Sequence, residues 1–162
     1  SLREFEFLCE IRMSRDYRVE FLRNLPEVLV FGDIGWRSII NEKRYMGPVD
    51  YYSGLTELYS NSRTILNLTL VKNRFDVNQR LFDVFGAGGY LISDKRKNLD
   101  IFGEKLIQSF SNFEELEVIL GREPVEESFK REITGKLRQE IYEKHRLINR
   151  AEFILNKLKG SI

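Results

Sequence analysis

One cysteine and one histidine in 162 residues set the first limits on this chain. Cys9 has no second cysteine to form an internal disulfide, and it supplies no thiolate cluster for a metal. His145, standing alone, argues against a histidine-based metal site and against a triad that needs a spare histidine. An excess of one charge is also missing. With 26 basic and 25 acidic residues the net charge is +1, so the balance advertises neither a nucleic-acid partner nor a membrane surface. No apolar run reaches the length of a membrane span and no secretory signal opens the chain, which makes a cytoplasmic protein the expectation.

What is present suits one domain with a proper core: 42% of residues are hydrophobic and 31% charged. The chain begins "SLREF" without an initiator Met, which reads as a single domain, 1–162, cut from a longer protein. Near the start "EFEFLCEI" (Glu4–Ile11) alternates apolar and polar side chains, the period of a strand buried on one face. Ser14 then caps a helix carrying Tyr17, Phe21, Leu22 and Leu25 at helical spacing, and Pro26 ends it. "VLVF" (Val28–Phe31) predicts a strand covered on both faces. Beyond it come a short strand "VDYY", a short helix "LTELYSNS", a buried strand "TILNLTL" (Thr64–Leu70), the strand "GYLIS" and a strand in "KLIQSF" (Lys105–Phe110). Ser111 with Glu114 reads as a capping box opening the helix "NFEELEVIL", closed by Gly121. A helical tail, 128–162, carries Phe129, Ile133, Leu137, Ile141, Ile148 and Leu155 on one stripe. Strands alternating with helices predict a Rossmann-like three-layer α/β sandwich with a parallel sheet and a helical C-terminal tail.

The stretch "DVNQRLFDVFGAGGYLISD" (Asp76–Asp94) carries most of the chemistry. In open parallel sheets, ligands sit outside the carboxyl ends of the strands, where helix N-termini point free N–H groups. A strand ends near Leu70, a polar loop "VKNRFDVNQ" follows, and a helix begins around Asn78. Its first turn, which holds Gln79, offers backbone donors to a phosphate, and Lys72, Arg74 and Arg80 add positive charge. Asp83, about one turn on, is placed to accept hydrogen bonds from ribose hydroxyls. Gly86, Gly88 and Gly89 let the helix stop sharply beside the next strand. The same residues also suit a plain helix C-cap, a tight turn and solvated acids, and GxGxxG spacing is absent.

Five segments in order bear on that choice: "VLVFGDIGW" (Val28–Trp36), "GPVDYYSGLTELYSNSRTILNLTL" (Gly47–Leu70), the Asp76–Asp94 stretch, "FSNFEELEVIL" (Phe110–Leu120) and "YEKHRLINRAEFIL" (Tyr142–Leu155). Together they resemble the C-terminal, donor-binding domain of group 1 glycosyltransferases of GT-B fold, in the branch that includes CgeB-like spore maturation proteins. The resemblance implies transfer of a sugar from a nucleotide-diphosphate sugar as donor substrate, with no cofactor; a helix N-terminus and basic side chains can stabilise the leaving diphosphate, so no metal is required. It places Asp83 on the ribose and Asp76 near the donor sugar as the catalytic candidate. Both are Asp where the family carries Glu, and they stand one residue closer. Asn78 and Arg80 match the branch's "N-x-R", for loop ordering or diphosphate contact. Tyr51 and Tyr52 lie where the family passes the nucleotide base, and Arg15 and Arg18 lie where it supplies basic residues to phosphates. Acceptor binding falls to an N-terminal domain outside this chain, so the isolated domain is expected to bind nucleotide weakly and transfer nothing.

Several residues keep a second reading. Trp36 can stack on a base or pack its own loop, and Tyr51 and Tyr52 equally suit core positions. Asn67, polar inside a strand, reads as an anchor for a neighbouring loop. His145 sits on the apolar stripe of the tail and is assigned no chemistry. The alternative function is a degenerate glycosyltransferase domain or a non-catalytic Rossmann-like module acting through protein contacts. A receiver would need clustered acids after its first strand, which Glu10 and Asp16 do not form, and a flavin site would need more hydroxyls than Ser14.

Overall fold

The computed structural model describes residues 2–70, 77–102, 106–121 and 126–160. In chain order these run through α1 (Leu2–Asn24), β1 (Val30–Phe31), a 3-10 turn (Ile34–Ser38), β2 (Tyr45–Gly47), α2 (Leu55–Asn61) and β3 (Ile65–Asn67). Then come α3 (Gln79–Ala87), β4 (Leu91–Asp94), a second 3-10 turn (Leu99–Phe102), β5 (Gln108–Phe110), α4 (Phe113–Gly121), α5 (Glu127–Glu140), a π-helical turn (Ile141–His145) and α6 (Leu147–Lys159). All the strand pairs are parallel: β3-β4-β5 form one sheet, and β1 pairs with β2 in another.

Strand alternation assigns the two faces of the β3-β4-β5 sheet. Leu66, Leu68 and Ile92 turn to one side, where Phe21 and Leu25 of α1 and Leu116 of α4 join them with Tyr90 and Phe110. Ile65 and Leu91 turn to the other, against Leu81, Val84 and Phe85 of α3, Ile133 and Leu137 of α5, Ile141 and Phe102. Helices therefore cover both faces, and the chain is an α/β domain of Rossmann-like, GT-B-type architecture. Among the described residues no helix is long and apolar enough to cross a membrane.

The structure corrects the expected first strand. Glu4–Ile11 is helical, continuous with the helix expected after it. Ser14 is no cap; it is buried mid-helix, and its hydroxyl donates to the Glu10 carbonyl at 2.7 Å. "VLVF" shrinks to Val30–Phe31, with Leu29 and Phe31 exposed rather than covered, and the segment "VDYY" is a turn rather than a strand. The capping box shifts by one residue: Asn112 Oδ1 accepts the Glu115 N–H at 2.8 Å, and Glu115 reaches back to the Ser111 N–H at 2.7 Å. In the tail only Ile133, Leu137 and Ile141 of the expected stripe are buried, whereas Phe129, Ile148 and Leu155 face solvent. Phe5, Phe7, Leu8 and Ile11 on the first half of α1 are exposed as well.

The glycine break does two separate jobs. Gly88 ends α3 in the left-handed region at φ +81°, with its N–H on the Phe85 carbonyl and the Gly89 N–H on the Val84 carbonyl. At Gly89 a Cβ would lie 2.6 Å from the Tyr59 carbonyl oxygen, so hydrogen there lets the chain pass against the end of α2.

Candidate functional site

Polar side chains gather where the parallel strands end. Asn67 and Ser93 are register partners at the ends of β3 and β4, on the α3 face, and both are fully buried. Asn67 Nδ2 donates to Ser93 Oγ at 3.0 Å. Its Oδ1 accepts from Asn78 Nδ2 at 2.9 Å and from an Arg80 Nη1 at 3.1 Å. Asn67 thus anchors the start of α3, as expected of a polar residue inside a strand. Asn78 is the N-cap residue, but its side chain makes no capping bond, and its Oδ1 has no partner among the described residues. Among the described residues no side chain is seen to accept from the first-turn N–H groups of α3.

On the opposite face Asp94 ends β4, 3% exposed. Its carboxylate accepts the Thr69 N–H at 3.0 Å and the Thr69 hydroxyl, pairs with Arg96, and takes a long bond from the Tyr17 hydroxyl at 3.5 Å. Burial, followed by the Asp94 charge, pushes the Tyr17 phenol up to about 12. Next to Tyr17, Arg18 donates from Nε and Nη2 to the Leu68 carbonyl at 3.2 and 3.1 Å. Burial, and then the neighbouring charge of Arg80, hold the Arg18 guanidinium below its ordinary range, with Asp94 opposing. Arg18 and Arg80 thus reach consecutive residues, Leu68 and Asn67, at the end of β3. Each hydrogen-bonds a neutral oxygen there, and neither forms an ion pair among the described residues.

Asp83 lies half-buried on α3 and accepts the Tyr51 hydroxyl at 3.2 Å. Gln79 Nε2 donates to that same hydroxyl at 2.9 Å. The Asp83 charge, ahead of burial, raises the Tyr51 phenol, while burial raises Tyr59 close by against the pull of Arg80. Asp83, Arg80, Gln79 and Asn78 are therefore brought together with Arg18. Tyr52 stands beside them at 92% exposure, its ring edge-on to Tyr51 at 5.2 Å between centroids, and the hydrogen-bonded hydroxyl belongs to Tyr51. Arg15 is exposed one turn before Arg18 on α1, beside Leu8, Ile11, Arg12 and Asp16. Lys72, Arg74 and Asp76 lie outside the described residues.

Trp36 packs its own loop: a Cβ on Gly32 would lie 2.9 Å from the indole Cδ1. His145 sits between Phe82 and Phe102, with ring centroids 5.5 and 5.4 Å away, in a core setting. Asp94, Thr69, Arg96 and Tyr17 were given no part in the site by the sequence. A signal for them existed in "GYLISD", where two polar residues abruptly close a buried apolar strand. Among the described residues no group of three His, Cys, Asp or Glu is placed to hold a metal ion.

Comparison with known proteins agrees with this geometry at the level of family. No curated protein and no solved structure matches the chain. One family model does, over residues 11–156, from the middle of α1 to within α6. That span includes every strand of both sheets and all the site residues just described, and on it the chain belongs to the glycosyl transferase-like family.

Proposed function

We propose that this chain is the donor-binding domain of a glycosyltransferase of the CgeB-like branch, holding a nucleotide-diphosphate sugar at the carboxyl ends of β3 and β4. The observation that carries the reading is the pair Arg18 and Arg80. Arg80 stands near enough to hold the Arg18 guanidinium down, and among the described residues each of the two bonds neutral oxygens alone, which leaves positive charge beside the start of α3. A diphosphate supplies the missing negative charge and accepts from both the guanidiniums and the first-turn N–H groups. Asp83, further along α3, then faces the ribose.

In this reading the nucleoside diphosphate is the leaving group. Arg18, Arg80 and the α3 N-terminus stabilise the charge that grows on it as the sugar–phosphate bond breaks, which is electrostatic catalysis by groups already in place. Asp76 would lie towards the donor sugar. The acceptor is held by a further domain, and the exposed apolar side chains of α1 and α6 are surfaces for such a neighbour. The protein acts in the cytoplasm.

The test is calorimetric titration of the chain with UDP, GDP and ADP, alongside Asp83→Ala. Binding of one diphosphate, weakened about tenfold or more in the variant, is expected from loss of charge-assisted bonds to the ribose. No binding by any of the three at millimolar concentration counts against the reading.

A further inference from the structure

Asp83 does not meet a ligand alone, because the turn before α2 delivers a second group to it. Asp50 Oδ1 accepts the Tyr52 N–H at 3.1 Å, the Ser53 N–H at 2.8 Å and the Ser53 hydroxyl at 2.7 Å. The Asp50 carbonyl accepts from Gly54 and Leu55 at 3.1 and 3.2 Å. This closed turn fixes the backbone of Tyr51, and Gln79 and Asp83 hold its hydroxyl from the other side.

A phenol oxygen carries one proton and two lone pairs. At Tyr51 the proton goes to Asp83 Oδ1 and one lone pair takes the Gln79 amide, so one lone pair is left. Among the described residues nothing donates to Asp83 Oδ2. Two open acceptors therefore stand side by side, one neutral and one charged, joined by the Tyr51–Asp83 hydrogen bond. Neighbouring hydroxyls on one sugar ring are donors arranged in the same way. A lone carboxylate would take both hydroxyls on its two oxygens, but here Oδ1 already accepts the Tyr51 hydroxyl and has one lone pair left, which favours the phenol oxygen and Oδ2 as the pair for the diol.

We propose that Tyr51 is a specificity-determining residue of the donor site, accepting one ribose hydroxyl on its phenol oxygen while Asp83 Oδ2 accepts the other. This rests on the donor-binding reading above and divides its diol recognition between two residues. Tyr51 is 48% exposed, so Tyr51→Phe removes the hydroxyl without disturbing a buried position.

The experiment compares the diphosphate that binds tightest among UDP, GDP and ADP with its 2′-deoxy and 3′-deoxy forms. The wild-type chain, Tyr51→Phe and Asp83→Ala are each titrated, with thermal unfolding to check that the variants fold. In the wild type each missing hydroxyl is expected to weaken binding by about fivefold, the worth of one hydrogen bond. In Tyr51→Phe one of the two deoxy penalties disappears and the other persists, while Asp83→Ala reduces both. If Tyr51→Phe keeps both penalties while Asp83→Ala reduces them, the role of Tyr51 is overturned and the donor site stands. If the wild type binds no diphosphate, both readings fall together.

Discussion

Replacing Gly86, Gly88 and Gly89 in turn by alanine should give three different outcomes. Gly86 is helical, and an added Cβ there meets only Ile141 Cγ2, at an ordinary 3.8 Å. Alanine is the better helix former, so Gly86→Ala should stabilise the fold by about 0.5–1 kcal/mol. Gly88 has room, with its nearest neighbour an arginine Nη1 at 3.8 Å, but φ is +81°. An L side chain in that conformation costs about 1 kcal/mol. Gly89 has no such backbone restriction, yet its Cβ would sit 2.6 Å from the Tyr59 carbonyl oxygen and 3.0 Å from Val84 Cγ1. A backbone carbonyl cannot swing aside as a side-chain tip can. The strand and α2 must separate, at a cost of about 1–3 kcal/mol. Urea unfolding of the chain reads the order directly, and each kcal/mol moves the thermal midpoint by about 2–4 °C at this size. A Gly89→Ala variant as stable as the wild type, or a Gly86→Ala variant as damaged as Gly89→Ala, would refute the assignment of separate roles.

Other outcomes follow from the site itself. Asp94→Asn turns an acceptor of five donors into a group whose own N–H atoms face Arg96 or Tyr17; a loss of about 3–5 kcal/mol in urea unfolding is expected, as for other broken buried pairs. Arg18→Gln and Arg80→Gln should each weaken a nucleoside diphosphate about tenfold at low salt, and less at high salt, while binding of the bare nucleoside barely moves. His145 is held below its ordinary 6.5, first by burial, then by Arg150 and Lys144, with Glu140 opposing. The folded state therefore binds fewer protons there than the unfolded chain, so this contribution is complete above about pH 6.5 and fades as pH falls below it. Urea midpoints at about pH 7.5 and about pH 5.5 should fall further for the wild type than for His145→Gln.

The sequence exposes α3 plainly because its apolar positions recur at helical spacing and its end carries the C-cap chemistry of glycine. Leu91, Ile92 and the "ILN" of β3 were legible as strands because they form apolar runs between turn signals. The first half of α1 was not. Over eight residues Phe5, Phe7, Cys9 and Ile11 satisfy a period of two, while Phe5, Leu8 and Cys9 fit a helix equally well. What decides is continuity: helix-forming residues run unbroken from there into Phe21, Leu22 and Leu25, which are buried and hold the whole rod. A strand at Glu4–Ile11 would also need a neighbour to pair with, which no local pattern reveals. The site divides in the same way. Asn78, Arg80 and Asp83 lie on one short segment that the family resemblance singles out, whereas Asp94 joins Tyr17, and Tyr51 joins Asp83, across 77 and 32 residues of chain. Those meetings exist only after the fold has formed.

Asn67 gives one carbonyl oxygen to two donors, Asn78 and Arg80, and its amide nitrogen to Ser93. The consequence is one of timing. A free arginine loses about 2 kcal/mol of rotamer entropy when a ligand immobilises it. Arg80 is already held by that oxygen when the chain folds, so the diphosphate proposed for this site would meet a guanidinium that has lost part of this entropy beforehand. A single neutral amide, which never needs to touch the ligand, thereby sets how stiff the charged part of the site is.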